Sequence, residues 1–178
     1  MGKVGPVQPV TPVLGVLYRD EAVVDDAMLW VEMLLGDVDL YSEVMPFTQT
    51  DYYDAEMGEG LKRRFYSFER LSDPTLLSHW KLETNKIEEQ AAQRFGEYRP
   101  INLDPGYIRG PSLVLATVKG LSHRVPIGGG IFAEVTLTWR NGTWQPMPWT
   151  FPDYASGAYD KFLNLVRERH LELMGARV

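Results

Sequence analysis

The sequence predicts an α+β fold with an antiparallel-rich sheet, on three observations. Short apolar or alternating runs recur along the whole chain. The leading elements follow the order β-α-β-β-α-β. An Asn141-Gly142 pair between two tryptophan-bearing runs marks a two-residue hairpin. That order is a ferredoxin-like start, with both helices on one face of the sheet. A β-meander and a C-terminal helix are expected to follow.

Residues 1–11 contain Gly2, Gly5, Pro6 and Pro9 and are read as a loose N-terminal arm. Pro12 to Tyr18 is short and nearly all apolar, the mark of a buried strand. Asp20 caps the next helix, Val24, Ala27, Met28, Val31 and Leu35 recur at helical spacing, and Gly36 ends it. Val38 to Val44 alternates like a strand with one wet face, and Leu61 to Leu71 is an aromatic-rich strand. Asp73-Pro74 starts the second helix, with aspartate at the cap and proline at the first helical position. Its apolar stripe is Leu76, Trp80, Ile87, Ala91 and Phe95, while Lys81, Asn85 and Glu88 are read as an exposed stripe.

Ile101 to Ile108 is the fourth strand, and Leu113 to Val118 the fifth. In the run from Ile131, residues Ile131, Ala133, Val135, Leu137 and Trp139 fall on one face. Phe132, Glu134, Thr136 and Thr138 fall on the other, and with Gln145 form a polar surface read either as a pocket lining or a solvated face. The hairpin sets Trp139 opposite Trp144, and Pro146 and Pro148 confine the strand from Thr143 to a short edge. The last helix, Ser156 to Met174, carries Tyr159, Phe162, Leu163, Val166 and His170 on one stripe. No linker divides the chain, so residues 1–178 are expected to form a single domain.

Composition excludes several functions. The 178 residues are 44% hydrophobic, enough for a substantial core. A net charge of −6 argues against nucleic acid, whose binding needs a positive field. The absence of cysteine removes disulfides, thiolate nucleophiles and cysteine-ligated metals. No apolar run is long enough for a membrane span, and Met1 to Pro6 lacks a signal-peptide core, so a cytoplasmic protein without a membrane partner is expected.

Several strings are distinctive in their order and spacing: Leu17-Tyr18-Arg19-Asp20-Glu21, Thr50-Asp51-Tyr52-Tyr53, Asp104-Pro105-Gly106-Tyr107, Leu115-Ala116-Thr117, Ser122-His123-Arg124 and Trp149-Thr150-Phe151-Pro152-Asp153-Tyr154. Together they resemble the bacterial and archaeal domain of unknown function 4416 family across nearly the whole chain. The resemblance implies a stand-alone prokaryotic protein of about this size and brings no catalytic residues with it.

Three clusters carry candidate chemistry. Asp51, Asp54 and Glu56 offer hard oxygens to a divalent cation such as Mg²⁺, although a capped short helix ended by Gly58 or Gly60 explains them more simply. Lys62, Arg63 and Arg64 open a strand, so Lys62 and Arg64 share a face while Arg63 points away; the shared pair can hold an anion but is read as a solubilising edge. The loop from Lys119 to Gly130 is the leading candidate. Gly128, Gly129 and Gly130 free backbone amides to meet an anion, Lys119 and Arg124 supply charge, and His123 is the weak catalytic candidate. Arg124 is read as exposed and without a structural partner.

A meander gathers that loop at one sheet end with Asn102, Asp153, Tyr154 and, more weakly, Asp104, whose Asp104-Pro105-Gly106 string is also suited to a turn of its own. The expected function is binding or processing of a small anionic metabolite, a phosphate or carboxylate, at that end. The alternative is a non-catalytic homo-oligomeric or protein-interaction module that uses the aromatic hairpin around Trp139, Trp144 and Trp149.

Overall fold

A computed structural model describes residues 2–3, 5–50, 53–96 and 98–175. In chain order its elements are β1 (Thr11–Tyr18), α1 (Glu21–Leu35), β2 (Val38–Tyr41), β3 (Met45–Pro46), α2 (Asp54–Met57) and β4 (Lys62–Phe68). A 3-10 turn at Pro74–Leu76 leads into α3 (Leu77–Phe95), followed by β5 (Ile101–Arg109), β6 (Ser112–Thr117), β7 (Val125–Gly128), β8 (Ile131–Arg140), β9 (Thr143–Pro146), α4 (Pro152–Ala155) and α5 (Asp160–Leu173). The strands form one nine-stranded sheet ordered β2-β4-β1-β5-β6-β8-β7, with β3 added to β4 and β9 to β8. Every pairing is antiparallel. The chain is therefore α+β, with a large antiparallel sheet and a C-terminal helix. Its element order is richer than expected, because β3 and α2 interrupt the path from β2 to β4 and β7 arises inside the glycine-rich loop.

Local chemistry explains the helix ends. The Asp20 carboxylate accepts from the Ala22 N–H, and Gly36 closes α1 at φ 98°. Asp73 accepts from both the amide and the hydroxyl of Thr75. One core joins Leu14, Val16 and Tyr18 of β1 to Val24, Ala27 and Val31 of α1 and to Trp80 and Ile87 of α3. A second core on the opposite face joins Val13, Phe65, Ile108 and Leu137 to Phe162, Leu163 and Val166 of α5. All of β1 is buried, as a strand covered on both faces must be. The expected arm ends early, because Val10 is buried and paired with Ser72, and Thr11 Oγ1 lies 3.0 Å from His170 Nδ1 of α5.

Two irregularities shape the sheet. Leu113 pairs with Leu137 but Val114 with Val135, so Thr136 is an extra residue in β8. This bulge corrects the simple alternation: Ile131 and Ala133 face the α1–α3 core, whereas Leu137 and Trp139 face the α5 core. The neighbouring carbonyls are held from outside the ladder, Val135 by the Trp149 indole at 3.0 Å and Thr136 by the Thr150 hydroxyl.

The other irregularity lies in β5, which pairs with β1 from Ile101 to Ile108 but with β6 only from Gly106 onward. Pro105 has no N–H to give, and it stands where that second ladder stops. Gly106 allows the close approach that follows, since a Cβ there would lie 2.4 Å from the Val114 carbonyl oxygen. Asp104-Pro105-Gly106 is thus strand, not a turn of its own. Ahead of it, β5 and β6 part.

The hairpin forms as its sequence requires. Trp139 and Trp144 are cross-strand partners with ring centroids 5.3 Å apart in an edge-on arrangement, and Asn141 and Gly142 have φ of 53° and 80°. A β-branched residue resists that backbone region. Gly142→Val is expected to destabilise the fold by about 1 kcal/mol or more, seen as a lower urea midpoint. An unchanged midpoint would contradict the strain argument.

Candidate functional site

A cleft of about 500 Å³ opens where β5 and β6 part. Asn102 and Asp104 of β5 form one side, and Leu115 to Val118 with Lys119, Leu121 and Arg124 form the other. The connection between β3 and β4 roofs it with Phe47, Tyr53 and Glu56, and the α4 segment adds Phe151 to Tyr154. Arg63 enters from β4, Lys81 from α3, and Arg99 from the loop before β5. Because the sheet is open here, side chains from both helical layers meet in one space.

A continuous polar chain runs from the rim inward. Arg99 donates to Glu56 at 2.6 Å and also to the Asn102 side-chain oxygen. The Asn102 amide donates to Asp104 at 2.7 Å, and Arg63 then bridges Asp104 and Asp153 at 3.4 Å each. Asp153 closes the chain by accepting from the Tyr159 hydroxyl at 3.0 Å. The Arg63 side chain is 3% exposed. Gly15 makes room for it on β1, where a Cβ would come within 3.2 Å of both Arg63 Nη1 and the Tyr154 hydroxyl. Lys81 forms a branch, donating to the Leu103 carbonyl at 2.6 Å and lying 3.8 Å from both Asp104 and Glu88.

The two carboxylates beside Lys81 titrate in opposite directions. Burial would raise Asp104, but Lys81 and Arg63, together with the Asn102 amide, outweigh it and hold its carboxyl below the usual range. Burial dominates at Glu88 and pushes its carboxyl up, despite Lys81, the Leu103 N–H and Arg99. Burial also lifts the Tyr53 and Tyr154 hydroxyls, so both stay protonated at neutral pH.

The structure gathers much of what the sequence placed at this end. Asn102, Lys119, Arg124 and Asp153 line the one cleft, with Asp104 and Tyr154. His123 stands behind that wall, its Nε2 3.3 Å from Glu134 and its ring stacked on Trp149 at 5.0 Å. Gly128, Gly129 and Gly130 lie outside the lining. Their φ values of 101°, 62° and 77° serve the turn between β7 and β8, where Gly129 sits against Leu82 of α3.

Arg124 is not the exposed arginine expected. Its side chain is 3% exposed, Nε donates to Glu134 at 2.6 Å, and Nη1 donates to the Lys119 carbonyl at 2.9 Å. Glu134 and Thr136 are buried while Gln145 is exposed, so these residues do not make one solvated face.

The acidic stretch behaves as a short helix, Asp54–Met57, ended by Gly58. Its carboxylates part company: Glu56 pairs with Arg99, Asp54 lines a separate groove, and Asp51 lies outside the described residues. Among the described residues no cluster of three or more histidines and carboxylates is arranged to hold a metal ion.

The family model described as Domain of unknown function (DUF4416) matches residues 8–170. The chain belongs to that family. No curated protein and no solved structure matches it. Of the six strings that carry the family resemblance, five contribute side chains to the cleft: Thr50 and Tyr53; Asp104; Leu115 to Thr117; Arg124; and Phe151 to Tyr154.

Sequence reading missed Lys81, Glu88 and Arg99 as site residues, and gave Arg63 no role beyond pointing away from its neighbours. Alternation did place Arg63 opposite Lys62 and Arg64, on the face it shares with Phe65. Lys81 belongs to the buried stripe of α3 with Leu77 and Thr84, and the Glu88 side chain beside it is only 14% exposed, which corrects the exposed-stripe reading. Arg99 carries no local signal beyond standing next to a strand start.

Removing one partner of a buried ion pair strands the other. Arg124→Ala is therefore expected to lower stability by about 3 kcal/mol in chemical denaturation, and a change too small to measure would contradict the buried pair.

The carboxyl shifts give a signed pH test. A raised carboxyl binds its proton more tightly when folded, so the wild type loses stability as pH rises above the ordinary glutamate range. Glu88→Gln should match the wild type in acid and exceed its melting temperature at neutral pH. Asp104 is depressed, so its contribution is present above the ordinary aspartate range and disappears as pH falls through its folded value. Asp104→Asn should melt below the wild type at neutral pH, with the gap closing in strong acid. Melting curves across pH decide both, and a reversed sign in either would overturn its assignment.

Proposed function

We propose that the cleft between β5 and β6 binds a small organic anion, a carboxylate or phosphate, held by Arg63 and Arg99. The observation that carries this reading is the state of Arg63. Its side chain lines the cleft, and its two carboxylate contacts are long at 3.4 Å, so its donors are loosely held; its buried Nε finds no acceptor among the described residues. Buried donors of that kind favour an oxygen-rich guest. Arg99 is the more accessible cation, with its side chain 27% exposed, and Glu56 already presents a carboxylate to it. An incoming anion takes the place of Glu56. Lys119 adds positive charge to the rim, Asn102 and Asp153 fix the arginines, and Arg124 shapes the wall from its pair with Glu134.

An interaction module built on the aromatic hairpin has less support. Trp144 is buried in the α5 core, Trp139 lies under Arg167 at 4.4 Å, and Trp149 is stacked by His123. Within this reading the first part of the chain is a ferredoxin-like unit, supported by the strand order β2-β4-β1-β5 with α1 and α3 on one face. Its sheet is extended by β6 to β9, and the cleft lies at the join.

Titration calorimetry with phosphate, succinate and citrate tests the proposal. Arg99→Gln should weaken the anion that binds wild type by tenfold or more, on the order of 1.4 kcal/mol. Glu56→Gln should tighten it by roughly two- to fivefold, because the competing carboxylate is gone. Weaker binding after Glu56→Gln would mean that Glu56 supports the site and does not occupy it.

A further inference from the structure

The cleft is much larger than an inorganic anion needs, and its two ends differ in chemistry. Arg63, Lys81 and Asp104 form an ionic floor. At the mouth, apolar side chains stand beside Arg99, Glu56 and Lys119: Tyr53 on the β3–β4 connection, with Leu121 and Phe151 also lining the cleft. Phe151 is 46% exposed and Leu121 55% exposed. Large apolar side chains left open beside a polar floor lose nothing if a ligand covers them, and they then add to its binding. Both rings also have a cation over one face, Arg124 at 5.9 Å from the Phe151 ring and Arg99 at 5.7 Å from the Tyr53 ring.

The floor also accepts hydrogen bonds. Asp104 stays ionised, and among the described residues its Oδ1 meets Lys81 at salt-bridge distance, 3.8 Å, while its side chain keeps 24% of its surface open. A ligand that uses all three features has an anionic group for Arg63 and Arg99, a hydroxyl or N–H donor for Asp104, and a flat ring between the apolar side chains at the mouth.

We infer that the ligand of this cleft is a ring-bearing organic anion, an aromatic or heteroaromatic carboxylate or phosphate ester, with its ring seated at the Phe151 and Tyr53 mouth. This rests on the anion-binding reading above and names the class of ligand it takes.

The test compares phenyl phosphate with inorganic phosphate, and 4-hydroxyphenylacetate with acetate, by titration calorimetry on the full chain. Benzyl alcohol serves as the ring without charge. Each ring-bearing anion should bind more tightly than its ring-free counterpart by roughly three- to tenfold, the contribution of one aromatic contact. Phe151→Ala should erase that margin and leave phosphate and acetate unchanged. Phe151 lies open at the rim, and an unaltered melting temperature will confirm that the variant folds. Arg99→Gln should weaken ring-bearing and ring-free anions alike.

Ring-free anions that bind as tightly as ring-bearing ones would overturn this inference and leave the anion site standing. It falls in the same way if Phe151→Ala leaves the margin intact, or if benzyl alcohol binds as well as the anions do. Failure of every anion, with or without a ring, would overturn the anion-binding reading and this inference with it.

Discussion

A guanidinium with almost no access to solvent has to be neutralised where it stands, and that requirement organises the centre of this protein. Arg63 is supplied by β4, its carboxylates by β5 and α4, and the space it fills by a glycine of β1. An unpaired charge at such a place costs several kcal/mol, so these elements have to arrive together. The surrounding charges balance once Glu88 is set aside. Arg63, Lys81 and Arg99 face Asp104, Asp153 and Glu56, three against three. Glu88 would be a fourth carboxylate, and it is the group whose proton is held more tightly.

The cleft exists because one ladder in the sheet is left unfinished. Proline and glycine meet at the point where β5 and β6 separate, the first unable to donate and the second permitting the tight contact that ends the shared ladder. The bulge in β8 turns Leu137 and Trp139 toward the α5 layer, on the face where Glu134 holds Arg124. A fully regular sheet of this order would close the gap and leave Lys81 without a path to Asp104.

What the sequence made legible was what local chemistry decides. The cap at Asp20, the stop at Gly36, the proline start after Asp73 and the Asn141-Gly142 turn all follow from residues within a few positions of each other. Strand direction was enough to collect Asn102, Lys119, Arg124 and Asp153 at one end, because a meander fixes which strand ends meet. Burial of charge was not legible. Lys81 looks like any polar helix residue until β5 is placed beside it, and Arg124 until Glu134 is. The bulge hid the true faces of β8, since one extra residue reverses an alternation with no change in composition. The glycine triplet drew attention for its amides, while its backbone angles account for its presence.

The bond between Thr11 and His170 joins residues 159 positions apart. β1 leaves the ribosome before its partner β5, which lies about ninety residues further on, and before α5, which covers its second face. Contacts of such separation slow folding, because the chain between them must be ordered before they form. A strand buried along its whole length therefore waits for its full cover. During synthesis it is the segment most in need of shielding by a chaperone or by provisional pairing with β4, and loss of the last helix would leave it open for good.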